Sequence, residues 1–102
     1  MPTFVKIANE SDLPPAGEAK EFLCGNKPIC IANVNGSYAA LDGICPHRGG
    51  PLGQGMVEGN KVVCPWHGWA WDVKTGVAEQ DRNMKVAVYP LKIEGGDMMV
   101  EI

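Results

Sequence analysis

Two short stretches fix most of what this chain can become: Cys45-Pro46-His47-Arg48-Gly49-Gly50-Pro51 and Cys64-Pro65-Trp66-His67-Gly68-Trp69. The first reads Cys-x-His and the second Cys-x-x-His, with 16 residues between His47 and Cys64. The chain has 2 histidines, and both stand in this frame. Thiolate and imidazole are soft and borderline donors, suited to iron–sulfur centres or zinc and poorly suited to calcium or magnesium. Pro46 and Pro65 stiffen each stretch just after its cysteine and remove one N–H there. The glycines that follow let the backbone come close to a bound group. Cys45, His47, Cys64 and His67 are therefore the candidate metal ligands.

Around this frame the chain reads as all-β. Residues 3–8 alternate apolar and polar side chains, as a strand does, and 9–17 is a loop holding Pro14-Pro15. Residues 18–24 and 28–34 are strands joined through Gly25-Asn26-Lys27. Asn35-Gly36 is a type I′ hairpin signal leading into a strand over 37–41. Residues 56–58 and 60–63 are expected to pair around Gly59, and 70–73 to form a hairpin with Val77 across Lys74-Thr75-Gly76. Strands over 85–89, 91–93 and 98–102 follow, the last two flanking Glu94-Gly95-Gly96-Asp97. No window sustains a helical period. About ten short strands predict an antiparallel sandwich or partly open barrel.

Composition narrows the function classes. A chain of 102 residues makes one domain. A net charge of −3 leaves no electrostatic footprint for nucleic acid. The apolar runs are too short to span a membrane. The first residues show no basic region followed by an apolar one, so a cytoplasmic address is expected. Cys24 and Cys30 lie in apolar strands, where a cysteine behaves as a small hydrophobe, and they are expected to stay reduced.

At Cys45-Pro46-His47 and Cys64-Pro65-Trp66-His67 the chain resembles the Rieske family, whose motif is C-x-H followed at a distance by C-x-x-H. The resemblance implies one [2Fe–2S] cluster per chain, in which two histidines replace two cysteines on one iron. Cys45 and Cys64 would hold the inner iron, and His47 and His67 the outer one. It also implies a Rieske-like fold with an inserted cluster-binding subdomain: residues 1–41 and 74–102 as the base, 42–73 as the insertion.

The high-potential branch of that family bridges its two cluster loops with a second cysteine pair and sets two hydroxyl donors near the sulfurs. Gly50 and Trp66 stand at the first pair of positions here, Trp69 and Trp71 at the second. The pattern is similar to the ferredoxin-type members and implies a low potential, near about −150 mV in a range that reaches about +300 mV. Trp66, Trp69 and Trp71 are expected to pack around the site, with Trp66 partly exposed.

A one-electron carrier is the implied function. It would take electrons from a flavin-dependent NAD(P)H reductase and pass them to a terminal oxidoreductase such as a ring-hydroxylating dioxygenase. It would act as a monomer and dock at the His47/His67 tip. It would not itself be the oxygenase, which needs further histidines for a mononuclear iron. Two alternatives stay open: the small subunit of a nitrite reductase, which carries similar Cys-Pro wording, and a zinc-stabilised binding module. Two Cys and two His are also a common zinc set, although zinc sites usually pair C-x₂₋₄-C with H-x₃₋₅-H.

Overall fold

The computed structural model describes residues 3–44, 50–66 and 68–101. Within them the chain forms ten strands in three antiparallel sheets, with two single 3₁₀ turns at Glu10–Asp12 and Leu52–Gln54. The strands are β1 (Phe4–Asn9), β2 (Ala19–Cys24), β3 (Lys27–Val34), β4 (Ser37–Asp42), β5 (Met56–Glu58), β6 (Lys61–Val63), β7 (Ala70–Asp72), β8 (Val88–Tyr89), β9 (Leu91–Glu94) and β10 (Asp97–Glu101). The sheet orders are β1-β10-β9, β2-β3-β4-β8 and β5-β6-β7. None of them closes into a barrel. Among the described residues no helix is long and apolar enough to cross a membrane.

β3 explains how the layers stack. Ile29 to Asn33 are all buried, because both faces of this strand are covered. Ile29 and Ile31 point to one side and join Ala40, Met98 and Val100, which ties the central sheet to β10. Cys30 and Ala32 point to the other side and join Leu41, Leu52, Val62, Cys64 and Trp71. The sheet that follows the first candidate loop thus shares a core with the central sheet.

The β3–β4 hairpin turns as its sequence predicts. Asn35 has φ 53° and Gly36 φ 91°, the pair of positive values a type I′ turn requires. Asn33, buried beside the turn, donates from Nδ2 to the Pro14 carbonyl at 2.9 Å. Its Oδ1 accepts the Gly36 N–H at 2.7 Å, so a buried amide is satisfied at both ends.

Two expected strands turn out shorter. The alternation over 85–89 gives only Val88–Tyr89, paired with β4. Its first half is held elsewhere: Lys85 bridges Val77, and the Val86 N–H donates to the Gly76 carbonyl at 2.8 Å. The segment is divided between two sheets, so no single ladder forms. Likewise Ala70–Asp72 pairs fully with β6, and meets residues 77–78 only through an isolated Trp71–Ala78 bridge and one Asp72–Val77 bond. Asp72 Oδ1 accepts the Lys74 and Thr75 N–H groups at 2.8 and 3.1 Å, which shapes a tight turn in place of a ladder.

Candidate metal centre

Of the four sequence-predicted ligands, Cys64 lies within the described residues; Cys45, His47 and His67 lie outside them. Cys64 follows directly on β6 and is 1% exposed. Its N–H donates to the Trp69 carbonyl at 2.8 Å. That bond closes the base of the second loop, so the chain leaves the sheet at Cys64 and returns to it at Trp69. Pro65, Trp66 and Gly68 are exposed beyond this base.

The first loop has a comparable neck. Ile44 bridges Pro51, and the Leu52 N–H donates to the Gly43 carbonyl at 2.9 Å. The 3₁₀ turn Leu52–Gln54 follows at once, with Leu52 fully buried against the shared core. The segment carrying Cys45 and His47 therefore begins and ends at one point on the central layer.

Gly50 brings the two loops together. A Cβ on it would lie 2.8 Å from Cys64 Sγ and 3.0 Å from Trp66 Cγ. No side chain other than hydrogen fits there without displacing the thiol or the indole. The last residue of the first loop is packed directly on the cysteine of the second. At this same position the high-potential branch of the family would set a bridging cysteine.

The three tryptophans meet three different environments. Trp71 is fully buried, Trp69 half-buried and Trp66 50% exposed. Trp69 and Trp71 lie on the same face of β7 and its lead-in, their ring centroids 6.0 Å apart. Trp71 Nε1 is buried and has no hydrogen-bond partner. The sequence shows an i, i+2 spacing, but which face those residues take becomes visible only with the strand register.

Cys24 and Cys30 stand apart from each other, and Cys30 lies in the core that also holds Cys64. In register Cys24 faces Lys27, while Cys30 faces Glu21 and Leu41. Cys24 packs on the core of Ile29 and Ile31, and Cys30 is buried in the opposite one. Both are free thiols, as expected. Burial, with a smaller contribution from the Glu21 charge, pushes the Cys30 thiol up to about 12.

The polar segment 79–83 covers the edge of β7. Gln80 Oε1 accepts the Ala70 N–H at 3.0 Å, and the Glu79 N–H donates to the Ala70 carbonyl at 2.8 Å. The Lys61–Glu79 ion pair at 2.9 Å lies beside them. It is exposed and adds little stability. Among the described residues, which include one of the four candidate ligands, no group of three or more His, Cys, Asp or Glu side chains is placed to hold a metal.

Comparison with known proteins gives the family. The model of the Rieske [2Fe–2S] domain matches residues 3–90. The ferredoxin component of biphenyl 2,3-dioxygenase from Rhodococcus jostii (strain RHA1) is 33% identical over 98 residues, covering 95% of this chain and 91% of that protein. A complex of reduced oxygenase and oxidized ferredoxin in carbazole 1,9a-dioxygenase contains a chain that superposes with a TM-score of 0.81 at 25% identity, over 96% of this chain and 92% of that one. The Sphingomonas yanoikuyae B1 ferredoxin superposes with a TM-score of 0.85 at 23% identity, over 98% and 99% of the two chains. The chain belongs to the Rieske [2Fe–2S] family and is an electron carrier of the ferredoxin kind. Its cofactor is a Rieske-type [2Fe–2S] cluster. The described residues fit that group: a buried thiol at a loop base, a glycine cleared of any side chain beside its sulfur, and an unpartnered N–H in the same core.

Proposed function

We propose that Cys45 and Cys64 hold the inner iron of one cluster per chain, that His47 and His67 hold the outer iron, and that the chain carries single electrons from a flavoprotein reductase to a terminal oxygenase. The observation that carries the ligand assignment is the contact of Gly50 with Cys64 and Trp66. The segments bearing the other three ligands spring from residues that touch, as two loops delivering donors to one centre must. The bound cluster supplies a one-electron couple. The chain's own residues position it: Cys64 from the end of a strand, the bridge of Ile44 to Pro51 as the neck of the first loop, and Trp69 and Trp71 as apolar cover on the inner side.

The same reading divides the chain into a base, residues 1–41 and 74–102, and a cluster subdomain, 42–73. Its support is that β5, β6 and β7 pair only with one another in their ladders. Their side chains still share a core with the central sheet, which makes the insertion a layer of one domain. Partners would dock at the His47/His67 tip, where the half-exposed Trp66 offers an apolar contact. Weak redox complexes need only a small buried area of this kind. The chain would act as a monomer in the cytoplasm, at a potential in the low part of the Rieske range.

The relative matched along 95% of the chain favours an oxygenase as acceptor over a nitrite reductase. Anaerobic stopped-flow mixing with NADH and the flavoprotein reductase of an aromatic-ring dioxygenase system tests this. The expected result is uptake of one electron per chain, followed by reoxidation on adding the oxidised dioxygenase. Reoxidation only by a nitrite reductase large subunit would move the chain to the alternative system, and no reduction at all would contradict the carrier role.

A further inference from the structure

Ala70 is the first residue of β7 after the second loop has closed. The Cys64 N–H donates to the Trp69 carbonyl, which makes those two residues a bonded pair at the end of the β6–β7 ladder. Val63 and Ala70 are the next pair, and bonded and non-bonded pairs alternate along an antiparallel ladder. The Ala70 N–H and carbonyl therefore point away from β6, toward the outer edge of β7. Ala70 is 5% exposed, so these groups need partners within the protein. Both find them on one segment. The Glu79 N–H donates to the Ala70 carbonyl at 2.8 Å, and Gln80 Oε1 accepts the Ala70 N–H at 3.0 Å. Gln80 thus offers a side-chain oxygen where a neighbouring strand would offer a backbone carbonyl. It is an exposed residue, and holding an exposed glutamine in one rotamer costs entropy. A stiff turn delivers it: the Ala78 N–H donates to the Met84 carbonyl, the Met84 N–H to the Asp81 carbonyl, and Asp81 Oδ1 accepts the Asn83 N–H. Ala78 is buried in the core that holds Cys64, and Met84 packs against it.

We propose that Gln80 is a positioning residue for the cluster: it latches the point at which the stretch carrying His67 rejoins the sheet. The inference rests on the reading of Cys64 and His67 as ligands. That stretch is bounded by Cys64, held at the end of β6, and by Ala70, held on its outer side by Glu79 and Gln80. His67 lies three residues before Ala70. Ligands keep their geometry when the residues behind them are themselves fixed by hydrogen bonds. Without the Gln80 oxygen the Ala70 N–H is left buried and unpaired, and the return point shifts to recover a partner.

The test compares three variants in the oxidised, loaded protein. Gln80→Leu keeps the bulk and removes the acceptor, Gln80→Glu keeps an acceptor, and Lys61→Met breaks only the neighbouring ion pair. Loss of visible absorption in excess EDTA should run about tenfold faster in Gln80→Leu, the scale on which partners behind a ligand act. Gln80→Glu and Lys61→Met should lose their clusters at the wild-type rate. A wild-type rate in Gln80→Leu would overturn the inference, and so would a rate in Gln80→Glu or Lys61→Met as fast as that of Gln80→Leu. A second measurement holds even if Gln80→Leu fails to load. Hydrogen exchange read by mass spectrometry over residues 64–72 should show lost protection in Gln80→Leu and wild-type protection in Gln80→Glu. Equal exchange in wild type and Gln80→Leu would overturn the latch. Wild-type protein without iron and sulfide would instead overturn the cluster reading beneath it.

Discussion

Gly50 shows how one residue can join two loops through what it lacks. Its missing Cβ is the space in which Cys64 Sγ and the Trp66 ring sit. Gly50→Ala places a methyl group 2.8 Å from that sulfur, tighter than real packing allows. Overpacking of this kind costs about 1–3 kcal/mol. Gly50→Ala is therefore expected to melt at a lower temperature than wild type and to retain less iron on gel filtration. Equal melting temperature and iron content would show that the loops part easily and that the contact is incidental. At this scale the proposed ligands stand out in the sequence because both histidines fall in register with a cysteine, and of the four only Cys64 lies within the described residues. The role of Gly50 was legible only as the loss of a bridging cysteine. Its contact with Cys64 depends on a loop–loop approach that no local pattern encodes. The same holds for the three tryptophans, one residue type placed in buried, half-buried and exposed settings by strand register.

β3 is the element on which both cores are built. A strand buried on both faces reads as an apolar run, and residues 28–34 showed that run plainly. The Asn35-Gly36 turn was equally legible, since φ > 0 at two successive positions needs such residues. Residues 85–89 were not, because alternation cannot report that half of a segment bonds to the turn at 76–77 and half to β4. The burial of β3 also sets a pH response. The Cys30 thiol titrates near 12 in the fold against 9.0 in the open chain. The folded state then holds a proton that the unfolded state has released. Stability from this thiol is whole below pH 9.0 and is lost as pH rises from there toward 12. The slope reaches about 1.4 kcal/mol per pH unit at most. Urea titrations across that window should show the decline in wild type and a shallower one in Cys30→Ala. Parallel curves for the two proteins would mean that Cys30 is accessible to solvent in the fold.

At the scale of the whole molecule, three antiparallel sheets set the bases of the two candidate loops on one core. The central sheet supplies the neck of the first loop, and the β5-β6-β7 sheet supplies the base of the second. Both loops rest on a single core, running from Cys30 and Leu41 through Leu52 and Val62 to Trp71. An all-β layered fold was legible from the strand rhythm. The arrangement of its sheets was not, because which faces meet is decided by tertiary packing. The central claim is one cluster held by two cysteines and two histidines, and pulsed electron paramagnetic resonance of the anaerobically reduced protein with ¹⁵N-labelled histidine tests it most directly. The account predicts two distinct imidazole nitrogens coupled to the cluster spin, since the chain has 2 histidines and both are assigned as ligands. A reduced cluster with no histidine coupling, or a protein that holds zinc and gives no signal, would contradict it.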